Sequence, residues 1–538
     1  MKSVATTEPS LDDVWLVDAG DRPVRPSRAR FLPHCQWLLA ALLLAAMIAI
    51  AIPSFRLKTP ALDEGMLLAY PVRILHGDVP LRDFESFYGP GSFYAVAAAF
   101  AGFGQHLVVE RLVGLLYHLA ILLALFGLAL PWGRLTALLV GTIAGFILLI
   151  ALALPAYAFL GAVACLLGAI WLATSTWPRP KSIRSLSVGV LCGLALLFRF
   201  DAAIAVALLL CAVAIRSGGL SWRWALGGLA ATGGLYLPYV LIGGWTNAVL
   251  MMKHIEADQP WRTLPIPGVT TGPGAELAVA IGLTILFGLL ALRWLHLNPE
   301  SAAGRRLLAL GAMTLGFLPY AIRRADPVHV TFAVVVVIAF APVAAVELLR
   351  MVRPGISPVV RQLIVAAAVL ALTVAALGAR PPGEKVRERL GLAPAAAYRV
   401  AFDGRYYYDE SPDAARALNQ LIPMADRLAG RHGSLFVGQL DMRRADYNDV
   451  AVYFLLSGLH PATRYMELDP GGANNSDANL AKQIAAADVL LLTSRYDGWG
   501  TSVTASSAFG PSIANEVVRK DFCRRASAWE YVLLQRCR

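Results

Sequence analysis

Apolar runs recur along this 538-residue chain, and most approach or exceed the ~20 residues that carry a helix across a bilayer. In hydrocarbon every backbone N–H and C=O needs an internal partner, which leaves only helices and closed barrels. The runs are continuous rather than alternating, so the chain reads as a bundle of helices. With 57% of residues hydrophobic and 15% charged, a polytopic α-helical membrane protein is expected. Eleven spans are predicted, at roughly 37–53, 107–130, 135–154, 156–174, 186–198, 202–215, 224–242, 276–296, 307–321, 329–349 and 362–379.

Loop charge then orients the spans. Basic residues gather in the first tail (Arg22, Arg25, Arg28, Arg30) and in alternate connections, at Arg134, Arg179/Lys181/Arg184, Arg216/Arg223, Arg305/Arg306 and Arg350/Arg353. The positive-inside bias makes these cytoplasmic, and leaves the other connections and everything beyond the last span outside. The net charge of +11 is thus a topology signal, and no nucleic-acid partner is expected. Three parts follow: a cytoplasmic tail over 1–36, a transmembrane domain over 37–380 with a long first extracytoplasmic loop at 54–106, and an extracytoplasmic domain over 381–538. The polar leader of about 33 residues is long for a cleaved signal, so the first span reads as a retained anchor.

Beyond residue 380 the composition becomes that of a soluble domain. Buried strands are predicted at 434–440, 487–493 and 530–535, and helices at 413–421, 449–459 and 477–486, which together make a small α/β domain. Ser411-Pro412-Asp413 has the form of a capped helix start. Cys35, Cys165, Cys192 and Cys211 lie at or within apolar segments and act as small apolar residues. Cys523 and Cys537 fall in the exported domain, where a disulfide persists, and are expected to join the last strand to the segment before it.

Four polar clusters interrupt the apolar chain, and the topology puts them all at one face. They are Asp63-Glu64, Arg82-Asp83, Arg199-Phe200-Asp201 and Arg323-Arg324-Ala325-Asp326-Pro327-Val328-His329. Charge in or beside a membrane persists where it pairs, meets water or does chemistry. Asp63 and Glu64 are neighbours, so on a helix they diverge by about 100°; one faces a cavity while the other pairs nearby. A carboxylate is ionised at neutral pH and accepts a proton from a hydroxyl. Asp201 and Asp326 both suit helix N-caps, the second followed by Pro at the first helical position. Capping leaves Arg199, Arg323 and Arg324 unexplained, because the positive-inside bias depletes arginine at this boundary; an anionic partner would hold them there. His329, three residues after Asp326, shares its helix face, which suits a divalent metal or a phosphate oxygen.

Taken together, Leu62-Asp63-Glu64 after the first span, Arg82-Asp83-Phe84, Tyr88-Gly89-Pro90-Gly91 and the late Arg324-Ala325-Asp326-Pro327-Val328-His329 resemble the GT-C membrane glycosyltransferases. The adjacent Asp-Glu looks most like protein O-mannosyltransferases and lipid A aminoarabinose transferases. The resemblance covers residues 37–380 and implies transfer of a sugar from a polyprenyl-phosphate donor to an envelope glycan, lipid or protein outside the membrane. It implies Asp63 as general base, with Glu64 matching the adjoining acid. Arg82, Arg199, Lys253, Arg324 and His329 are the candidates for the donor phosphate, supported by Asp83, Tyr88, Asp201 and Asp326. Asp326 and His329 are also the candidates for a divalent metal.

No phosphate-cradling Gly-x-x-x-x-Gly-Lys loop or dinucleotide fingerprint occurs, which argues against a nucleotide-activated donor. A lipid-linked-sugar flippase or transporter is the alternative of another class, and an envelope polysaccharide polymerase or ligase a third. A transporter would place its charges near the midplane, whereas here they gather at an interface. The terminal domain is expected to cover or position the acceptor and to leave the chemistry to the membrane part.

Overall fold

The expected spans fall on helices. This structure is a computed structural model that describes residues 33–60, 62–86, 88–175, 180–214, 220–262, 268, 272–379, 383–443, 447–468, 473, 478–497 and 510–537. Arg22, Arg25, Arg28, Arg30, Ala61, Phe87, Arg179, Arg216 and Asp477 lie outside the described residues. Among those described, seven helices are long and apolar enough to cross a membrane: Trp37–Arg56, Leu107–Trp132, Arg134–Leu152, Lys181–Phe198, Trp222–Gly243, Gly272–Leu297 and Pro327–Val352. Ala158–Thr174, Phe200–Ala214 and Pro358–Val374 are shorter apolar helices at other expected spans. The helix Ala302–Arg323 covers the remaining one.

Contacts sort the connections onto two ends of the bundle. At one, Arg111 donates to the carbonyls of Ser54 and Leu57, and Ala156 N–H donates to Glu110. At the other, the Arg306 guanidinium reaches Leu128 O and Thr174, Arg184 reaches Ser175 O, and Ser221 N–H meets Ser185. The arginine-rich and arginine-poor connections therefore lie at opposite ends.

The stretch read as one long loop contains two helices, Asp63–Leu75 and Pro90–Phe103. The first is buried on nearly every side, from Glu64 to Arg73, its two buried charges paired with Arg111 and Asp78. A short chain cannot bury such a helix alone, and the terminal domain supplies the cover. Gly65 is required here: a Cβ would lie 2.6 Å from Ala451 N, so loop helix and terminal domain meet backbone to backbone.

In the terminal domain β1 (Tyr398–Phe402) and β2 (Arg405–Asp409) form an antiparallel hairpin. A mixed sheet joins β3 (Ser434–Gln439), β4 (His460–Pro461), β5 (Val489–Thr493), β6 (Phe522–Ala528) and β7 (Tyr531–Arg536) in the order β4-β3-β5-β7-β6. β3 pairs in parallel with β4 and β5, and β7 is antiparallel to β5 and β6. Successive side chains point to opposite faces of a strand. Val437 and Leu491 accordingly join one core with the helix Pro412–Ala429, and Phe436 and Leu490 another with the helix Leu480–Ala486. Ser411 caps the helix Pro412–Ala429 through Ala414 N–H at 3.2 Å. Cys523 on β6 is bonded to Cys537, with Cα atoms 5.1 Å apart.

The core containing Val437 also holds Leu68, Val72 and Phe93 of the loop and Leu107 of the second span. Loop and terminal domain are thus divided by composition at 381 and joined by packing.

Candidate active site

Asp63 opens the loop helix, with Glu64 one residue on. Two acids in a first turn are favoured by the helix dipole. The ~100° between them separates their fates. Glu64 is fully buried and makes a bidentate pair with Arg111, at 2.6 and 2.8 Å. Arg111 also reaches Ser54 O, Leu57 O and Thr59 Oγ1, so its remaining donors tie down the chain that enters the loop. Glu64 is therefore a fixed strut next to Asp63, both of its carboxylate oxygens taken up by Arg111.

Asp63 is half-buried and faces a group of phenols and a histidine. Tyr88, Tyr157, Tyr447 and His329 all lie within reach of its charge. Burial and then the negative charge of Asp63 push the Tyr88 and Tyr447 phenols well above their ordinary range, which keeps both as neutral hydrogen-bond donors.

Tyr88 is held by the turn that follows it. Gly89 N–H donates to Phe198 O at 3.1 Å, and a Cβ on Gly89 would lie 2.2 Å from Leu197 O, so glycine alone permits this approach. The approach brings Tyr88 to the end of the helix Lys181–Phe198, where Arg199 follows. The Arg199 guanidinium lies 5.5 Å from the Tyr88 ring and 4.7 Å from the Tyr320 ring. It is held by Asp201 at 2.8 and 2.5 Å.

Tyr320 leads to the last cluster, its ring 5.2 Å from that of His329. Asp326 caps the helix Pro327–Ala339 through Val328 and His329 N–H, and also holds Arg324 Nε at 3.0 Å and His329 Nδ1. Burial opposes its charge, yet the His329 hydrogen bonds and the Arg324 charge bring the Asp326 carboxyl down to about 2. Arg199-x-Asp201 and Arg324-x-Asp326 are thus the same device twice, an arginine steadied by the acid two residues on. Each guanidinium has five N–H donors, more than its aspartate uses.

Other expected residues stand apart. Arg82 pairs with Asp83 on an exposed turn, and Asp83 also accepts from Val79 N–H. Lys253 is exposed on the helix Trp245–Arg262, with no contact to the cluster among the described residues. Also among the described residues, no three His, Cys, Asp or Glu side chains gather as a metal site.

Sequence reasoning missed Arg111, Tyr157, Tyr320 and Tyr447. A signal existed for Arg111, since Glu110-Arg111 is a charged pair inside an apolar run. Tyr320 in an apolar helix, and Tyr157 and Tyr447 in connecting segments, carry none.

Fold and site define an integral-membrane protein with a charged, phenol-lined cluster at one end of its bundle, touched at Leu62 by Tyr447 of its own terminal domain. No known family matches the sequence, and no curated protein matches it. The chain is similar to two solved structures of ArnT from Cupriavidus metallidurans, one bound to undecaprenyl phosphate and one in the apo state. Identity is 14% and 13%, coverage is 93% of this chain and 97% of that chain, and the TM-score is 0.49 for each.

Proposed function

We propose that this protein is an integral-membrane glycosyltransferase of the GT-C type, moving a sugar from a polyprenyl-phosphate donor to an envelope glycan, lipid or protein on the extracytoplasmic face of a bacterial cytoplasmic membrane. One observation carries the reading: Asp63 and the two Arg-x-Asp elements, far apart in sequence, meet at one end of the bundle through Tyr88, Tyr320 and His329. Sugar transfer needs these two kinds of group side by side. The acceptor oxygen forms a bond to the anomeric carbon as the carbon–oxygen bond to phosphate breaks. Asp63 takes the acceptor proton, and the departing phosphate keeps the electron pair.

Arg199 and Arg324, steadied by Asp201 and Asp326, offer their remaining donors to that phosphate, with His329 beside them. Tyr88 links the two halves, within reach of the Asp63 charge and 5.5 Å from the Arg199 guanidinium. Arg82 and Lys253 have no place in this scheme. Glu64 acts through Arg111 as a positioning residue.

The sugar that accumulates on lipid in a strain lacking the protein identifies the donor, and transfer from it tests the roles. Asp63→Asn should lower turnover by about two to four orders of magnitude, the usual worth of a general base, while undecaprenyl phosphate still binds. Arg324→Ala should weaken that binding. Near-normal turnover by folded Asp63→Asn would remove Asp63 from the chemistry and reopen the transporter reading.

A further inference from the structure

The far end of the bundle carries a second charged group, which sugar transfer does not use. Along the span Leu107–Trp132, Arg111 marks the Asp63 end and Trp132 the far end, about 30 Å away at 1.5 Å per residue. There the Trp132 indole N–H donates to Oε1 of Glu347 at 2.7 Å, and this carboxylate is 1% exposed. Arg350, one turn further along the helix Ala341–Val352, lies 4.7 Å from the Trp294 ring and 4.0 Å from Glu347 Oε1, beyond hydrogen-bond reach. The next helix, Pro358–Ala379, packs back along it after a short turn, so Arg361 in its first turn stands level with Arg350 in the last turn before it. Gln362 fixes the approach. Its amide packs on Gly133, where a Cβ would lie 2.2 Å from Nε2, next to the Trp132 that holds Glu347. The charges of Arg350 and Glu347 both act on Arg361.

Arg361 is 8% exposed, and its Nε is covered and has no hydrogen-bond partner. Among the described residues, neither its guanidinium nor that of Arg350 donates a hydrogen bond. The positive-inside bias accounts for an arginine standing in water at this end, such as Arg353, but not for one set under the surface without an acceptor. An arginine kept for structure behaves otherwise. Arg306, also at this end, spends its donors on Thr174 Oγ1 and on the carbonyls of Leu128 and Thr174. Covered charged donors are costly to leave unmatched, and an acceptor from outside the fold can match these.

We propose that Arg350 and Arg361 form a binding site for a phosphate group at the end of the bundle opposite Asp63, the phosphate being that of a lipid headgroup or a free anion. Two guanidinium forks suit the oxygens of one phosphate, each able to bind in a planar, bidentate way. Glu347 neutralises only one of the two, and its Oε1 is already taken by the Trp132 indole. The start of the helix Pro358–Ala379 adds the positive end of its dipole, with no acid in its first turn. The site stands whether or not the protein transfers sugar.

A ligand that binds the folded state raises the unfolding temperature as its concentration rises. The full-length protein, delipidated in detergent, is read by tryptophan fluorescence on heating, in an Arg324→Ala background that weakens the phosphate contacts proposed near Asp63. One arm compares inorganic phosphate with chloride at equal ionic strength. The other compares dioleoylphosphatidylglycerol with dioleoylphosphatidylcholine in mixed micelles. A rise with phosphate assigns a free anion, a rise with phosphatidylglycerol alone assigns a lipid headgroup, and either supports the site. Arg361→Met should move the half-maximal concentration up roughly tenfold or more, the worth of a charge-assisted hydrogen bond. Arg350→Gln, a change at a more exposed position, should do the same. Without added anion Arg361→Met should unfold no lower than its parent, since it removes a covered charge that no protein group satisfies. No rise in either arm would overturn the proposal, as would equal rises with the two lipids and none with phosphate, or unchanged half-maximal concentrations in both variants. A lower unfolding temperature of Arg361→Met without anion would overturn it too, by assigning Arg361 to the fold.

Discussion

Two adjacent acids at the start of one short helix have opposite fates, and the difference is geometric. Glu64 disappears into a pair with Arg111, while Asp63 stays half-exposed among phenols. Removing one partner of a buried pair strands the other charge, so Glu64→Gln alone should destabilise the protein by about 3–5 kcal/mol. The double variant Glu64→Gln/Arg111→Met strands no charge and should recover much of that loss, as measured by resistance to proteolysis in detergent across a temperature series. Equal damage in single and double variants would show that Arg111 serves mainly the carbonyls of Ser54 and Leu57. The divergence of the pair was legible from helical geometry, but the partner was not. Arg111 is distant in sequence, and nothing in a lone arginine within an apolar run says which carboxylate it meets.

Helices were easier to read than the sheet. A span announces itself by length and apolarity, and a central strand such as β5 by its unbroken run Val489–Thr493. β6 and the β1–β2 hairpin were missed because they carry arginines and tyrosines and owe their state to pairing with neighbours. The cysteines still pointed to the outer pair: Cys523 sits opposite Gln535 of β7, and Cys537 follows that strand. The bridge closes a loop of sequence separation 14, so Cys523→Ser/Cys537→Ser should lower the domain's stability by roughly 2–4 kcal/mol without abolishing turnover. Pulse proteolysis in urea measures the loss. An unchanged midpoint would mean that the strand pairing alone fixes this edge.

At the scale of the molecule, the alternation of basic loops gave the two ends of the bundle, and the structure collects Arg184 with Arg306 at one and Asp63 with Arg199 and Asp326 at the other. The orientation this implies is tested by single cysteines read with a membrane-impermeant reagent. Those near Lys181 and Arg353 should label only after permeabilisation, and those near Asp63, Asp326 and Asp497 without it. Labelling of Asp63 and Asp326 from opposite faces would dissolve the single site. What composition hid is that the loop and the terminal domain share one core, with Tyr70 bonded to Glu467 across 397 positions. A ribosome adds about 5–20 residues per second, so the loop helix is made tens of seconds before the surface that receives it exists. During that interval Leu68 and Val72 have no partner from the terminal domain, and the first loop to be synthesised is among the last pieces to mature.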